Sequence, residues 1–419
     1  PTVEEGGLIV TTTLDLTIQE KAENILKKEL DKIKKLKVSN GTVLITRPPT
    51  GEILAMVGSY DYFAKDEDGN VNVTLANRQP GSSIKPINYA LALRDKKINL
   101  ATTLADVPTC FKVSGQEDYC PVNYDETFHG LVQARFALGN SYNMPAVRIL
   151  ALNGIDNLVY FANQMGLTTL TDPKNYGLSL TLGGGEVRPY DMAVAFGVFA
   201  NSGIKQPLLA ITKVTDWKGK VYEETKPEDV ELTGERVLPP DVTFLTSHAL
   251  LDNNARMQAF GESSYLNVKN HPEVSVKTGT TNDRRDNWTI GFTPQAVVVT
   301  WVGNNDNTPM SGAVSGVSGA SPIWNKIMKA VLDKAEKGVY DKNESGHAWP
   351  GQPDSIIGKT ICAVDGLLPL GEGEGAGCPT RFEYFMEGTI PEKVTGQRMD
   401  VQIDNSTQNR PVYIDPLGT

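Results

Sequence analysis

From Leu8 to Thr13 apolar and β-branched residues alternate, the period of a half-buried strand. The spacing then lengthens. Ile18, Ala22, Ile25, Leu26, Leu30, Ile33 and Leu36 recur every three or four positions, one face of a helix, and Thr17-x-x-Glu20 matches a capping box at its start. Two apolar runs follow, Thr42 to Thr46 and Glu52 to Val57, separated by Arg47-Pro48-Pro49-Thr50-Gly51. Pro and Gly punctuate a turn there, so the pair predicts a β-hairpin that opens an antiparallel sheet. From Ile84 to the stretch Met192 to Ala200 the pattern is chiefly helical, broken by a loop around Cys110 to Tyr124 and a turn at Gly183-Gly184-Gly185. Strand character returns at Glu273 to Thr278, Trp288 to Phe292 and Ala296 to Val302, and a helix is expected from Pro322 to about Glu336. A sheet drawn from both ends of the chain with helices inserted between them implies an α+β fold. After Gly338 the chain turns rich in Gly, Pro and Asp, and Gly371-Glu372-Gly373-Glu374-Gly375 reads as a turn or flexible loop, so a boundary is placed there.

Composition narrows the function classes. The 419 residues are 40% hydrophobic and 21% charged, which is ordinary for a soluble globular protein with ample chain for a core. A net charge of -10 argues against a nucleic-acid surface, which needs clustered Lys and Arg. The basic block from Lys32 to Lys37 reads as the solvated face of a helix. No run approaches the ~20 apolar residues of a membrane span, and the N-terminus lacks the charged-then-apolar pattern of a signal peptide. Because the chain starts at Pro1-Thr2 without Met, it is expected to be a fragment whose targeting and anchoring segments lie upstream. The four cysteines form two local pairs, Cys110 with Cys120 and Cys362 with Cys378, without metal or redox spacing. Two short disulfide loops outside the cytoplasm are one reading and four buried thiols the other.

Chemistry concentrates in three stretches. In Gln79-Pro80-Gly81-Ser82-Ser83-Ile84-Lys85-Pro86, a helix starting at Ser82 would put Lys85 one turn away on the same face. A serine hydroxyl becomes a useful nucleophile when a base takes its proton, and a lysine serves if burial and cationic neighbours lower its proton affinity. Ser141-Tyr142-Asn143 closes the helical run Leu131 to Gly139. There Ser141 could relay a proton between Lys85 and a leaving amine, and Asn143 could offer its amide to a substrate carbonyl. Lys277-Thr278-Gly279-Thr280 ends the β-run Glu273 to Thr278. A strand beside the nucleophile offers N–H groups, a cation and hydroxyls; Gly279 permits close approach, and the Thr280 and Ser82 amides would form an oxyanion hole. Taken singly, each stretch is matched as well by a capped helix, a polar loop or an edge strand.

In order along one chain, the three stretches resemble the signatures of penicillin-binding proteins and serine β-lactamases. The surrounding segments Arg78 to Ser82, Ala137 to Val147, Val276 to Asp283, Glu186 to Ala193, Phe199 to Gly203, Trp288 and Ala320 to Trp324 resemble the bifunctional, class A penicillin-binding proteins. The resemblance implies a penicillin-binding-protein/β-lactamase-like α+β fold, a central antiparallel sheet flanked by helices with a helical subdomain. It divides the chain into a linker and N-terminal helix (1–40), a transpeptidase domain (41–338) and a C-terminal extension (339–419), and it favours a Cys362–Cys378 disulfide. It implies acyl transfer from stem peptides ending in D-Ala-D-Ala, with Ser82 as nucleophile, Lys85 as base, Ser141 as relay and Lys277 setting the electrostatics. Asn143 and Gly279 belong to the same binding cleft, and Thr278 and Thr280 would hold the substrate carboxylate. No metal or organic cofactor is implied, β-lactams would trap Ser82, and residual D,D-carboxypeptidase activity fits the same chemistry. The parent protein would carry an upstream glycosyltransferase and membrane anchor, work on the outer face of the bacterial cytoplasmic membrane, and meet other cell-wall synthesis proteins.

The departures sharpen this. Tyr142 stands where a class A β-lactamase carries Asp, and between Asn143 and Lys277 no Glu has the Asn neighbour that would activate a deacylating water; Glu186 comes nearest. Slow hydrolysis is therefore expected. A carboxypeptidase or β-lactamase, a β-lactam sensor and an inactive wall-binding scaffold are the alternatives. The histidines His129, His248, His271 and His347 are too scattered for a metal site and are expected to be surface or hydrogen-bonded residues.

Overall fold

The computed structural model describes residues 6–112, 115, 117–281, 283–311, 318–334 and 350–396. The run Asn405-Ser406-Thr407, which is formally a glycosylation sequon, lies outside the described residues, as do His347 and Asn282. Strand β1 (Leu8–Thr12) leads into helix α1 (Leu16–Ile33). Asp15, not Thr17, caps that helix: its carboxylate accepts from the Ile18 amide at 3.1 Å. Asp15 is fixed there because its own amide donates to Leu54 O and Lys334 pairs with its carboxylate at 2.5 Å. Thr17 is thereby inside the first turn, where its hydroxyl is not the capping group.

The expected hairpin is β2 (Asn40–Thr46) and β3 (Ile53–Val57), paired antiparallel with Leu44 opposite Met56. Helix α2 (Lys85–Arg94) follows. Strands β4 (Thr103–Asp106) and β5 (Gly130–Gln133) form a two-stranded ribbon, and then come α3 (Ala134–Gly139), α4 (Asn143–Asn153), α5 (Ile155–Gln164) and α6 (Pro189–Ala200). Leu131 to Gln133 is thus strand, not the first turn of a helix. The Thr102 and Leu100 carbonyls take the amides of Ala134 and Arg135, so the helix begins only after the ribbon ends.

The chain continues through β6 (Ile204–Lys205), β7 (Ile211–Asp216), β8 (Val221–Glu224), β9 (Glu235–Arg236), α7 (Pro240–Leu251) and α8 (Asn253–Phe260). It returns to the main sheet as β10 (Ser275–Thr280), β11 (Asp286–Thr293) and β12 (Ala296–Gly303), then enters α9 (Ala320–Lys334) and the hairpin β13 (Ile356–Cys362) and β14 (Thr380–Met386). The five-stranded antiparallel sheet has the order β10-β11-β12-β2-β3.

Alternation along the strands divides the core. Val43, Ile45, Val298 and Val302 face α1 and α9, whereas Leu44, Val297, Val299 and Trp301 face the helical region containing α2 and α6. Both faces are covered, so the strands read as nearly continuous apolar runs. A second sheet joins β1 to β7 and β8, and α1 packs on the main sheet. Both disulfides are formed, Cys110 with Cys120 and Cys362 with Cys378. The C-terminal hairpin docks on α3: Arg135 donates to both carboxylate oxygens of Glu383 at 2.8 and 2.5 Å, and Gln133 donates to Cys362 O and Ala363 O.

Candidate active site

Ser82 lies in a tight 3₁₀ turn, Gly81–Ile84, and the α-helix starts at Lys85 rather than at Ser82. The reason is close backbone packing. Gly81 has φ +54°, and a Cβ there would lie 2.7 Å from Thr280 O; one on Gly279 would collide with the Pro80 carbonyl, and one on Gly183 with the backbone of Gly81. Three glycines therefore bring the Ser82 turn, strand β10 and the turn ending at Gly183 into backbone contact. The turn is held further by Ser83 Oγ donating to Pro80 O and by Trp288 Nε1 donating to Gln79 O, each in a bond under 3 Å.

Lys85 is fully buried. Its amine does not reach the Ser82 hydroxyl, as one helical turn suggested, but donates across the site to Ser141 O at 2.6 Å, Tyr142 O at 3.1 Å and Asn143 Oδ1 at 2.7 Å. The helix axis carries the long side chain past Ser82 to the junction between α3 and α4, where three oxygens converge. Ser141 itself has φ +64°, a left-handed conformation that a non-glycine residue holds only when its surroundings over-determine it.

Lys277, Thr278, Gly279 and Thr280 all lie within β10, which runs two residues further than its apolar pattern does. Lys277 is buried and donates to Ser141 Oγ at 2.8 Å and to Thr278 O at 2.9 Å. Ser141 Oγ is thus bonded to Lys277, while Lys85 holds the same residue by its carbonyl. Thr280 is half-buried; its hydroxyl accepts from Asn287 Nδ2 at 3.1 Å, and Asn287 is fixed in turn by the Ala320 amide at 2.7 Å. Asn143 Nδ2 donates to Val122 O at 2.7 Å, which leaves its second N–H for another acceptor.

Among the described residues neither lysine has a carboxylate in salt-bridge contact. Burial, reinforced by the Lys277 charge, holds Lys85 well below the usual ammonium range, with Asp106 acting in the opposite direction. Burial brings Lys277 down to about 7. A lysine of this kind can lose and regain a proton near neutrality, and a neighbouring serine is the kind of hydroxyl it activates.

The structure gathers the Ser82 turn, Lys85, Ser141, Asn143, Lys277, Thr278, Gly279 and Thr280 in one place. It also brings in Asp106, Asn123 and His129, which no motif marks. Asp106 is completely buried at the end of β4, and Asn123 follows the Cys110–Cys120 loop. His129 is hydrogen-bonded, as are His248 and His271.

Comparison with known proteins gives a concordant result. Residues 41–329 match the family model described as the penicillin binding protein transpeptidase domain. The chain is 32% identical over 329 residues to penicillin-binding protein 1B of Vibrio cholerae, covering 78% of this chain and 40% of that protein. It is 35% identical over 291 residues to penicillin-binding protein 1A of Aquifex aeolicus, covering 70% of this chain and 38% of that protein. The chain therefore spans less than half the length of these curated relatives. Among solved structures, penicillin-binding protein 1A of Haemophilus influenzae superposes with a TM-score of 0.70 at 27% identity, over 85% of this chain and 54% of that one. The PonA1 protein of Mycobacterium tuberculosis, solved in complex with penicillin V, shares the fold at a TM-score of 0.65 and 24% identity, over 81% of this chain and 89% of that one.

Proposed function

The chain belongs to the penicillin-binding-protein transpeptidase family, a family of acyl-transfer enzymes, and on that premise we propose that it cross-links peptidoglycan through an acyl-enzyme on Ser82. The observation that carries this reading is the convergence of two buried lysines on Ser141, one on its carbonyl and one on its hydroxyl, beside the Ser82 turn. Lys85, once it has lost a proton and released one of its three oxygen partners, turns its nitrogen to Ser82 Oγ and takes that proton as Oγ bonds to the carbonyl between the two terminal D-alanines of a stem peptide. The bond to the leaving D-alanine then breaks, and that amine receives a proton from Ser141, which is resupplied by Lys277. In the second step an amine of a neighbouring stem bonds to the same carbonyl and passes its proton through Ser141 to Lys277, while Lys85 returns its proton to Ser82 Oγ as the ester bond breaks. Lys277 attracts the substrate's terminal carboxylate, Thr278 and Thr280 hold it, and the free N–H of Asn143 meets a substrate carbonyl. The Ser82 and Thr280 amides receive the developing oxyanion, a contribution that can reach about 3–4 kcal/mol per donor.

β-Lactams enter the same cleft and leave a stable ester on Ser82. The parent protein adds an upstream glycosyltransferase and a membrane anchor, and this portion works on the outer face of the cytoplasmic membrane, alongside other cell-wall synthesis proteins. Two disulfides suit that oxidising side.

Intact-protein mass spectrometry with benzylpenicillin, on the wild type and Ser82→Ala, tests the reading. One persistent adduct of the whole drug on the wild type and none on the variant is expected; no adduct on either overturns it. A transient adduct with rapid drug hydrolysis would make the chain a β-lactamase. Stem peptide supplied with an amine acceptor should yield the cross-linked product, and release of D-alanine to water alone would reassign it as a carboxypeptidase.

A further inference from the structure

We propose that Asp106 is a positioning residue for the acylation step, holding the Ser141–Asn143 turn against Lys85 through Asn123 and His129 and supplying buried negative charge behind Lys85. The proposal rests on Lys85 being the base. Its geometry is independent of that.

Asp106 has no solvent exposure, and its two oxygens accept four hydrogen bonds. Asn123 Nδ2 donates to both, at 2.9 and 2.8 Å, while the His129 amide and Nδ1 meet one of them at 3.0 and 2.7 Å. From this anchor two arms run to the same amine. Along the first, Asn123 Oδ1 accepts from the Asn143 amide at 2.6 Å, and Asn143 Oδ1 accepts from Lys85 Nζ at 2.7 Å. Along the second, the His129 ring stacks on Tyr142 with centroids 3.9 Å apart and planes 17° from parallel, and Tyr142 O accepts from Lys85 Nζ. Between the arms sits Ser141 in its left-handed conformation, which needs such support from both sides.

The groups that surround Lys85 work against one another. Burial and Lys277 on β10 favour the neutral amine, and Asp106 on β4 favours the protonated one. Asp106 also acts on Tyr89 of α2 and on Tyr142, and His129 is flanked on its far side by Asp125 at 3.3 Å. Removing the Asp106 charge therefore lets Lys85 stay neutral to lower pH. It also leaves Asn123 and His129 donors facing a group that cannot accept from all of them.

The test is the rate of benzylpenicillin acylation from pH 5 to 9, with melting curves, for the wild type, Asp106→Asn and Asn123→Ala. Asp106→Asn should lower the plateau about tenfold or more, as misplaced catalytic groups do, and should move the acid limb toward lower pH. Asn123→Ala keeps the charge but cuts one arm, so its plateau should fall while the limb stays in place. A scaffold role alone would reduce melting temperature and leave both kinetic features unchanged, and that result in either folded variant overturns the proposal. If Asp106→Asn fails to fold, Asn123→Ala decides the matter. A wild-type profile with no acid limb would count against Lys85 as the base, leaving the plateau of Asn123→Ala as the separate test of positioning.

Discussion

Two buried cationic sites flank helix α3, and they are built in opposite ways. At its N-terminal end the Arg135 guanidinium is matched to Glu383 by two bonds and reaches Asp252 at 3.2 Å. Burial works against its charge, but the Glu383 bonds and charge outweigh that and leave Arg135 more firmly protonated than usual. His248 beside it stays neutral, pushed by burial and then by Arg135 down to about 4. At the C-terminal end Lys85 and Lys277 are as deeply buried but meet only carbonyl, amide and hydroxyl oxygens. Their proton affinities fall instead of rising. Burial is common to both sites, so the difference lies in the partner. A cation matched to a carboxylate becomes a structural tie, and one given only neutral acceptors is left able to give up its proton near neutrality.

The comparison can be broken most directly at Lys85. Lys85→Ala should cut benzylpenicillin acylation by about 10²–10⁴-fold, the range for loss of a general base, while its melting temperature falls by only a few degrees, because three neutral acceptors rather than a carboxylate lose their partner. Stopped-flow acylation and a thermal melt on one sample check both halves; a large loss of stability would mean the two sites are alike after all. Arg135→Ala should do the reverse, costing about 3–5 kcal/mol in urea unfolding as Glu383 is left buried, with Arg381 at 2.8 Å softening the loss. Adding Glu383→Gln should restore part of it. The smallest effect belongs to Asp286, a buried carboxyl raised to about 6 by burial against the opposing Trp301 hydrogen bond. Its folded value lies above the unfolded one, so its contribution is complete below about pH 4 and is lost as pH rises through 6. Asp286→Asn should match the wild type near pH 4 and melt a few degrees higher at pH 8, an advantage of roughly 2–3 kcal/mol. Melting curves that stay parallel across that range would contradict the assignment.

The three candidate stretches were legible because each packs its residues into three to eight consecutive positions, and their order along the chain carried the rest. The strands of the main sheet were legible for a different reason: both faces are covered, so Val43 to Ile45 and Val297 to Val302 stand out as apolar runs. What escaped was chemistry assembled across distance. Asp106, Asn123 and His129 are isolated polar residues on either side of a disulfide loop, and Glu383 lies 248 positions from Arg135. The β4–β5 ribbon escaped because its strands have four residues each, and Leu131 to Gly139 reads equally well as one helix. The turn at Ser82 departs from a regular helix because Gly81 must pass within contact distance of Thr280, a requirement imposed by the strand and invisible from the turn itself.

The tie between Arg135 and Glu383 also bears on how this molecule could have been inherited. Arg135 lies inside the stretch that matches the family domain, 41–329, and Glu383 lies beyond it. An appendage that merely rests on a protein can be gained or shed without penalty. Once the family domain contributes a buried cation and the hairpin beyond it holds the counter-charge, losing the hairpin strands that cation in the helix leading to Ser141. The pairing then works as a ratchet: a descendant can discard the hairpin only if position 135 changes with it.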